Sequence, residues 1–141
     1  MMTDGRLAGR RVLVLGASAG IGRVIAQRLG AAGAHVALAA RRREVCEEAA
    51  AEIDGTAIGL ACDVTDEEQC RQVVEDAVAG LGGLDDVVYS TGAISVVALE
   101  TADAEWWRTT FERISSARGV SKCDTAPSAA VWTAGLVSKI S

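Results

Sequence analysis

Residues 11–22 read Arg-Val-Leu-Val-Leu-Gly-Ala-Ser-Ala-Gly-Ile-Gly, an apolar run that breaks into glycines spaced G-x-x-x-G-x-G. This stretch restricts the fold more than any other. Val12 to Leu15 carries no polar residue, as a parallel strand covered on both faces requires. Gly16, Ser18, Ala19, Gly20, Ile21 and Gly22 then make a turn that leads into a helix. Glycine lets the backbone turn sharply and come close to a ligand, and the free N–H groups of a helix start suit a phosphate. The same glycines could instead serve tight packing of strand on helix, and their spacing alone does not choose.

The rest of the chain must supply a sheet for that strand. Half of the residues are hydrophobic, yet there is one Phe, one Tyr and three Trp, so Ala, Val, Leu and Ile must build the core. Such a composition suits Ala-rich helices on a Val-rich sheet, an α/β protein. A length of 141 residues allows a single domain with a sizeable core. The net charge of -5 argues against a nucleic-acid partner. Cys46, Cys62, Cys70 and Cys123 form no C-x-x-C pair, and His35 has no cysteine neighbour, so no metal site is expected. Reduced thiols in a cytoplasmic protein are the simplest reading. With no signal-peptide pattern and no apolar run long enough to span a bilayer, a soluble chain without a membrane partner is expected.

The chain alternates regularly as far as residue 90. Strand 11–15 is followed by a helix from Gly20 to Ala32, with Ile21, Val24, Ile25, Ala26 and Leu29 on its apolar face and Gly33 ending it. His35–Ala40 is a second strand, and a Glu- and Ala-rich helix covers Arg43–Ile53. Thr56–Cys62 is a third strand, after which Thr65 or Asp66 caps a helix whose apolar face carries Cys70, Val73, Val74, Ala77, Val78 and Leu81. Gly82-Gly83 stops that helix, and Leu84–Ser90 holds the fourth strand. A helix from Asp103 to about Arg113 is weaker, and Ala130–Trp132 and Leu136–Ile140 could each be strands.

A β-α-β-α-β-α-β alternation predicts a doubly wound parallel sheet with right-handed crossovers and the order 3-2-1-4. Ligands of such sheets bind at the carboxyl ends of the strands, where the order reverses. Gly16–Gly22, Ala40-Arg41, Cys62-Asp63 and Tyr89–Gly92 should therefore share one rim. Each has a plainer use: Asp63 could cap a helix, Ser90 and Thr91 could be ordinary strand-end residues, and Arg41–Arg43 a solvated helix start.

These loops resemble the short-chain dehydrogenase/reductase family. Leu15–Gly22 is similar to the opening T-G-x-x-x-G-x-G of that family, with Leu15 in place of threonine. Asp63-Val64 resembles the pair that contacts the adenine, and Tyr89-Ser90-Thr91-Gly92 stands where the family has N-N-A-G, only Gly92 being kept. Trp107 fits a tryptophan common in the next helix. The resemblance covers residues 7 to about 111 of one Rossmann-like NAD(P)-binding domain, whereas 112–141 look atypical.

The resemblance implies hydride transfer between a nicotinamide cofactor and a carbonyl or alcohol carbon. It also implies cofactor contacts at Gly16, Ser18, Ala19, Gly20, Ile21, Gly22, Asp63, Val64, Ser90 and Gly92. An enzyme favouring NAD places a carboxylate at the end of the second strand. Here Ala40 is followed by Arg41 and Arg42. A guanidinium can hold a 2′-phosphate through two parallel hydrogen bonds, so NADP(H) is expected, with Arg41 as chief contact and Arg42 in reserve.

The family's chemistry further implies a Tyr-x-x-x-Lys pair, which these residues do not contain. The one tyrosine is Tyr89, the lysines are Lys122 and Lys139, and Ile114 falls where a relay Asn is expected. Gly135–Ser141 resembles the family's fifth strand, one residue short of the substrate-orienting Ser. The expectation is a chain disrupted near Glu112, without the family's catalytic half or oligomer interface. It would bind dinucleotide at best; the alternatives are a non-catalytic binding module or a functionless remnant.

Overall fold

The computed structural model describes residues 5–91, 103–106, 108, 130–133 and 136–138. The elements follow in the order β1 (Arg11–Leu15), α1 (Gly20–Ala31), β2 (His35–Ala40), α2 (Arg43–Ala51), β3 (Ala57–Ala61), α3 (Glu67–Leu81), β4 (Asp86–Tyr89), β5 (Ala130–Thr133) and β6 (Leu136–Ser138). They build one sheet in the order β3-β2-β1-β4-β5-β6. The first five strands are parallel, with Val14 opposite both Leu38 and Val88. The α/β class, the doubly wound topology and the order 3-2-1-4 are those the alternation predicts.

Successive residues of β1 serve opposite faces of the sheet. Leu13 and Leu15 point to a core closed by Cys70, Val73, Val74, Ala77 and Leu81 of α3. Val12 and Val14 point to a second core, closed by Ala26 of α1 and by Cys46, Ala49 and Ala50 of α2. All four residues are fully buried or nearly so, which accounts for the unbroken apolar run.

Helix ends are set locally. At the end of α1, Gly33 has φ +92, its N–H donates to Gly30 O and the Ala34 N–H donates to Leu29 O. These two bonds cap the last carbonyls, and the left-handed residue between them suits glycine. At the start of α3 it is Asp66, rather than Thr65, that caps, accepting from the N–H groups of Glu68 and Gln69 at 3.0 and 3.2 Å. Gly82, at φ 78, ends that helix.

Two expectations are corrected. The buried stripe of α1 is Gly22–Ala26–Gly30, while Ile21 and Val24 are 70% and 53% exposed. Small residues let α1 lie close to β1 and to Ile53, the first residue a side chain at Gly30 would strike, and Ile21 and Val24 are left on its outer flank while Leu29 packs against the core. The strand beside β4 is Ala130–Thr133, not the segment beginning at Gly135, and Leu136–Ser138 pairs with it antiparallel. Only two positions separate these strands, enough for a hairpin but not for the crossover that parallel strands need. Of the weaker helix, 104–106 and 108 are helical, and the Trp106 N–H is held by Asp103 Oδ1 at 2.8 Å. Trp106 is half-buried; Trp107, Thr110, Arg113 and Ile114 lie outside the residues described.

Candidate functional site

The carboxyl ends of β1 to β4 open onto one crevice of about 570 Å³. Backbone hydrogen bonds tie the four loops together as they leave the sheet. The Gly16 N–H donates to Ala39 O at 2.8 Å, Ser90 to Leu15 O at 2.9 Å, and Cys62 to Ala40 O at 2.9 Å. The crevice straddles the gap between β1 and β4, where the strand order reverses, the place at which open parallel sheets bind ligands.

Eight of the residues singled out from sequence line it: Gly16, Ser18, Ala19, Arg41, Arg42, Asp63, Val64 and Ser90. Ala40, Cys62, Thr65 and Thr91 join them. Gly20 and Ile21 border a shallower hollow on the outer side of α1, and Gly22 is buried beneath the turn. Gly92 lies outside the residues described.

The glycines have separate duties. Gly16 has φ +82, and a Cβ there would sit 2.5 Å from the Ser90 carbonyl oxygen. A Cβ on Gly22 would strike the Gly16 carbonyl. These two therefore press the turn against β4 and against α1, the packing role their spacing left open. Gly20, at φ +60, faces open space. Helix α1 begins after Ala19, which offers no side-chain cap, and has no acidic residue in its first turn. Helix α3, by contrast, is capped by Asp66 and carries Glu67 and Glu68. The N–H groups and positive dipole end of α1 are thus left for an outside anion.

Around the rim, Arg43 is paired with Glu47 at 2.7 Å, but neither Arg41 nor Arg42 has a carboxylate partner among the described residues. Both are exposed at the end of β2. Asp63 does not cap α3. Its Oδ1 accepts from the N–H and hydroxyl of Thr65 at 3.0 and 2.7 Å, which fixes the turn carrying Val64 into the crevice wall. The Asp63 N–H donates to Gln69 Oε1 at 2.9 Å.

Thr91 Oγ1 is buried with no partner among the described residues. A buried polar atom of this kind on a crevice wall is what a polar ligand would satisfy. Nothing in the local sequence signals it, because strand-end hydroxyls are usually hydrated. Tyr89 is 3% exposed in the core under α3, which removes it from reach of any substrate in the crevice.

The uncapped helix start, with guanidinium groups and a buried hydroxyl that lack partners among the described residues, fits a phosphate-bearing dinucleotide. The sequence profile of the short chain dehydrogenases matches residues 10–119, running past residue 111. The chain belongs to the short-chain dehydrogenase family.

Among its relatives, mouse (Mus musculus) hydroxysteroid dehydrogenase-like protein 2 is 39% identical over 102 residues, 65% of this chain and 21% of the relative. Human (Homo sapiens) dehydrogenase/reductase SDR family member 2, mitochondrial, is 36% identical over 107 residues, 72% of this chain and 38% of the relative. A short chain dehydrogenase of Burkholderia cenocepacia J2315, solved in complex with NADP, superposes with a TM-score of 0.75 at 31% identity. There the match covers 83% of this chain and 50% of the other. A dehydrogenase/reductase of Sinorhizobium meliloti 1021 gives 0.76 at 32% identity, over 87% of this chain and 52% of the other. This short-chain dehydrogenase chain thus spans about half the length of the solved structures it matches, and less of the curated relatives. Among the described residues, no helix is long and apolar enough to cross a membrane.

Proposed function

We propose that these residues form the cofactor-holding part of an oxidoreductase that prefers NADP(H) and transfers hydride between its nicotinamide and a carbonyl or alcohol carbon. One observation carries the preference. Arg41 and Arg42 have no carboxylate partner among the described residues and stand at the end of β2, in the same crevice as the glycine turn, where a carboxylate would select NAD. The diphosphate would lie against Gly16–Gly22 and the start of α1, with Gly20 leaving room for it. Arg41 would fork onto the 2′-phosphate with Arg42 behind it. Asp63 and Val64 would flank the adenine, and Ser90 and Gly92 would line the path toward the nicotinamide. The cofactor, when bound, supplies the hydride. The chain's residues bind and orient it.

A second reading, in which these residues taken by themselves bind dinucleotide without turnover, is favoured by the place of Tyr89. General acid–base catalysis needs a group within reach of the substrate oxygen. The 141 residues hold no Tyr-x-x-x-Lys, and Tyr89 is in the core.

Titration with NADPH and NADH, followed by fluorescence or calorimetry, tests the preference. NADPH should bind at least tenfold more tightly, and Arg41→Ala should erase about 1.4 kcal/mol or more of that difference. Equal or tighter binding of NADH would overturn it. Turnover of a carbonyl substrate by the chain alone would remove the second reading.

A further inference from the structure

Cys62 and Cys70 belong to different elements and lie eight positions apart, yet the fold brings both sulfurs to one place behind the crevice wall. Cys62 follows β3, lines the crevice and is 2% exposed. Cys70 is in the first turn of α3 and is fully buried. Cys62 Sγ sits 3.7 Å from Gln69 O, while Cys70 Sγ sits 3.5 Å from Val64 O and 4.0 Å from Asp63 O. The two thiols thus bracket the turn that presents Asp63 and Val64 to the ligand. Cys46 lies in the core on the opposite face of the sheet.

We propose that Cys62 and Cys70 form a peroxide-sensitive thiol pair whose oxidation to a disulfide reshapes the Asp63-Val64 wall and weakens dinucleotide binding. The binding consequence rests on the cofactor reading above; the disulfide itself does not. Several features support the chemistry. Hydrogen bonding between the two thiols pushes Cys70 below its ordinary range, whereas the same bond and burial push Cys62 up, so the pair gives up its first proton with the second held between the sulfurs. Hydrogen peroxide is small and neutral enough to reach the pair through the crevice, past Cys62 in its wall. The Cys70 thiolate attacks one peroxide oxygen, the O–O bond breaks, and, with the proton held between the sulfurs, water and a sulfenic acid result. The Cys62 sulfur then attacks the sulfenic sulfur, forming the S–S bond and releasing a second water. Two thiols lose two electrons, and one peroxide gains them.

A disulfide needs its sulfurs about 2.05 Å apart, closer than two thiols in van der Waals contact. The closure must draw the start of α3 toward the end of β3. Thr65 to Gln69 are exposed and can yield, whereas the strand end is held in the sheet. Asp63 and Val64, caught between the two sulfurs, move with the helix start. By linkage, a bound dinucleotide should disfavour the oxidation at equilibrium by the same factor as the oxidation weakens the dinucleotide.

The test uses the full chain carrying Cys46→Ser and Cys123→Ser, treated with hydrogen peroxide and analysed by intact mass and peptide mapping. The expected result is a loss of about 2 Da that joins the Cys62 and Cys70 peptides and is reversed by dithiothreitol. Adding Cys62→Ser or Cys70→Ser should abolish it. NADPH affinity of the oxidised form should fall at least about tenfold and recover on reduction. A gain of about 32 Da on a single cysteine, with no cross-link, would overturn the disulfide. A disulfide with unchanged NADPH affinity would overturn the switch. If the reduced chain binds no NADPH at all, the cofactor reading and the switch fall together, while the mass measurement still decides whether the disulfide forms.

Discussion

Thr91 Oγ1 sits in the crevice wall with no partner among the described residues, although leaving a buried hydroxyl unsatisfied costs about 1–3 kcal/mol. That cost is recovered when a ligand or water supplies the missing bond. Thr91→Val keeps the shape and removes the orphan. Its unliganded stability should therefore be unchanged or raised, while its dinucleotide affinity falls about fivefold, or about 1 kcal/mol. Thermal melts beside a NADPH titration decide it, and a valine variant that binds as tightly as the parent would show the hydroxyl to be idle. Single residues divide sharply in how far sequence reveals them. Arg41's place on the rim is legible because a residue at the carboxyl end of a parallel strand must meet the crevice. Thr91 and the Cys62–Cys70 pair are not, since satisfaction and proximity depend on which groups the fold brings near.

Elements close off the far end of the sheet from the crevice. Arg11 at the start of β1 grips Asp85, just before β4, through its backbone N–H and through its guanidinium, with each contact at 2.9 Å. Its Nη1 also donates to Gly82 O, which ties the end of α3 into the same clasp. The Arg11 side-chain hydrogen bond, followed by its backbone N–H, holds the Asp85 carboxyl well below the ordinary carboxylate range. Because the folded value lies below the unfolded one near 4, this stabilisation is complete above the unfolded value and fades as pH falls toward the folded one. In melts at stepwise lower pH, the parent should lose its midpoint more steeply below about pH 4 than Asp85→Asn, and the two should converge in strong acid. NADPH binding by the variant should be normal, because the clasp is at the opposite strand ends. A parallel acid response in both would show Asp85 to be unlinked. At this scale the sequence is most informative where periodicity is long, and β1 to β4 and α1 to α3 begin and end within two residues of expectation. It fails for Ile21 and Val24 of α1, which face outward while Ala26 and Leu29 pack inward, and in which of β5 and β6 pairs with β4, although both segments read as strands. Those strands are too short for their pattern to choose a partner, and the two-position link decides their hairpin.

The whole molecule joins stability to binding, because the same four strands that bury the core also end at the crevice. Leu38 is fully buried in β2 between Val14 and Gly59, two residues before Ala40 meets the rim. Leu38→Ala should cost about 2–5 kcal/mol through lost burial and the cavity left behind. Against a typical total of about 5–15 kcal/mol, that leaves a variant folded by a narrow margin. A ligand that binds only the folded chain adds RT ln(1 + [L]/Kd), about 2.7 kcal/mol at a hundredfold excess over Kd. Saturating NADP should therefore return much of what Leu38→Ala removes, and return little to a Leu38→Ala/Arg41→Ala double variant at the same concentration. Urea unfolding of both variants, with and without NADP, measures this directly. Equal rescue of the two would mean that the phosphate is held elsewhere than at Arg41, and no rescue of either would mean that these strand ends do not hold the dinucleotide.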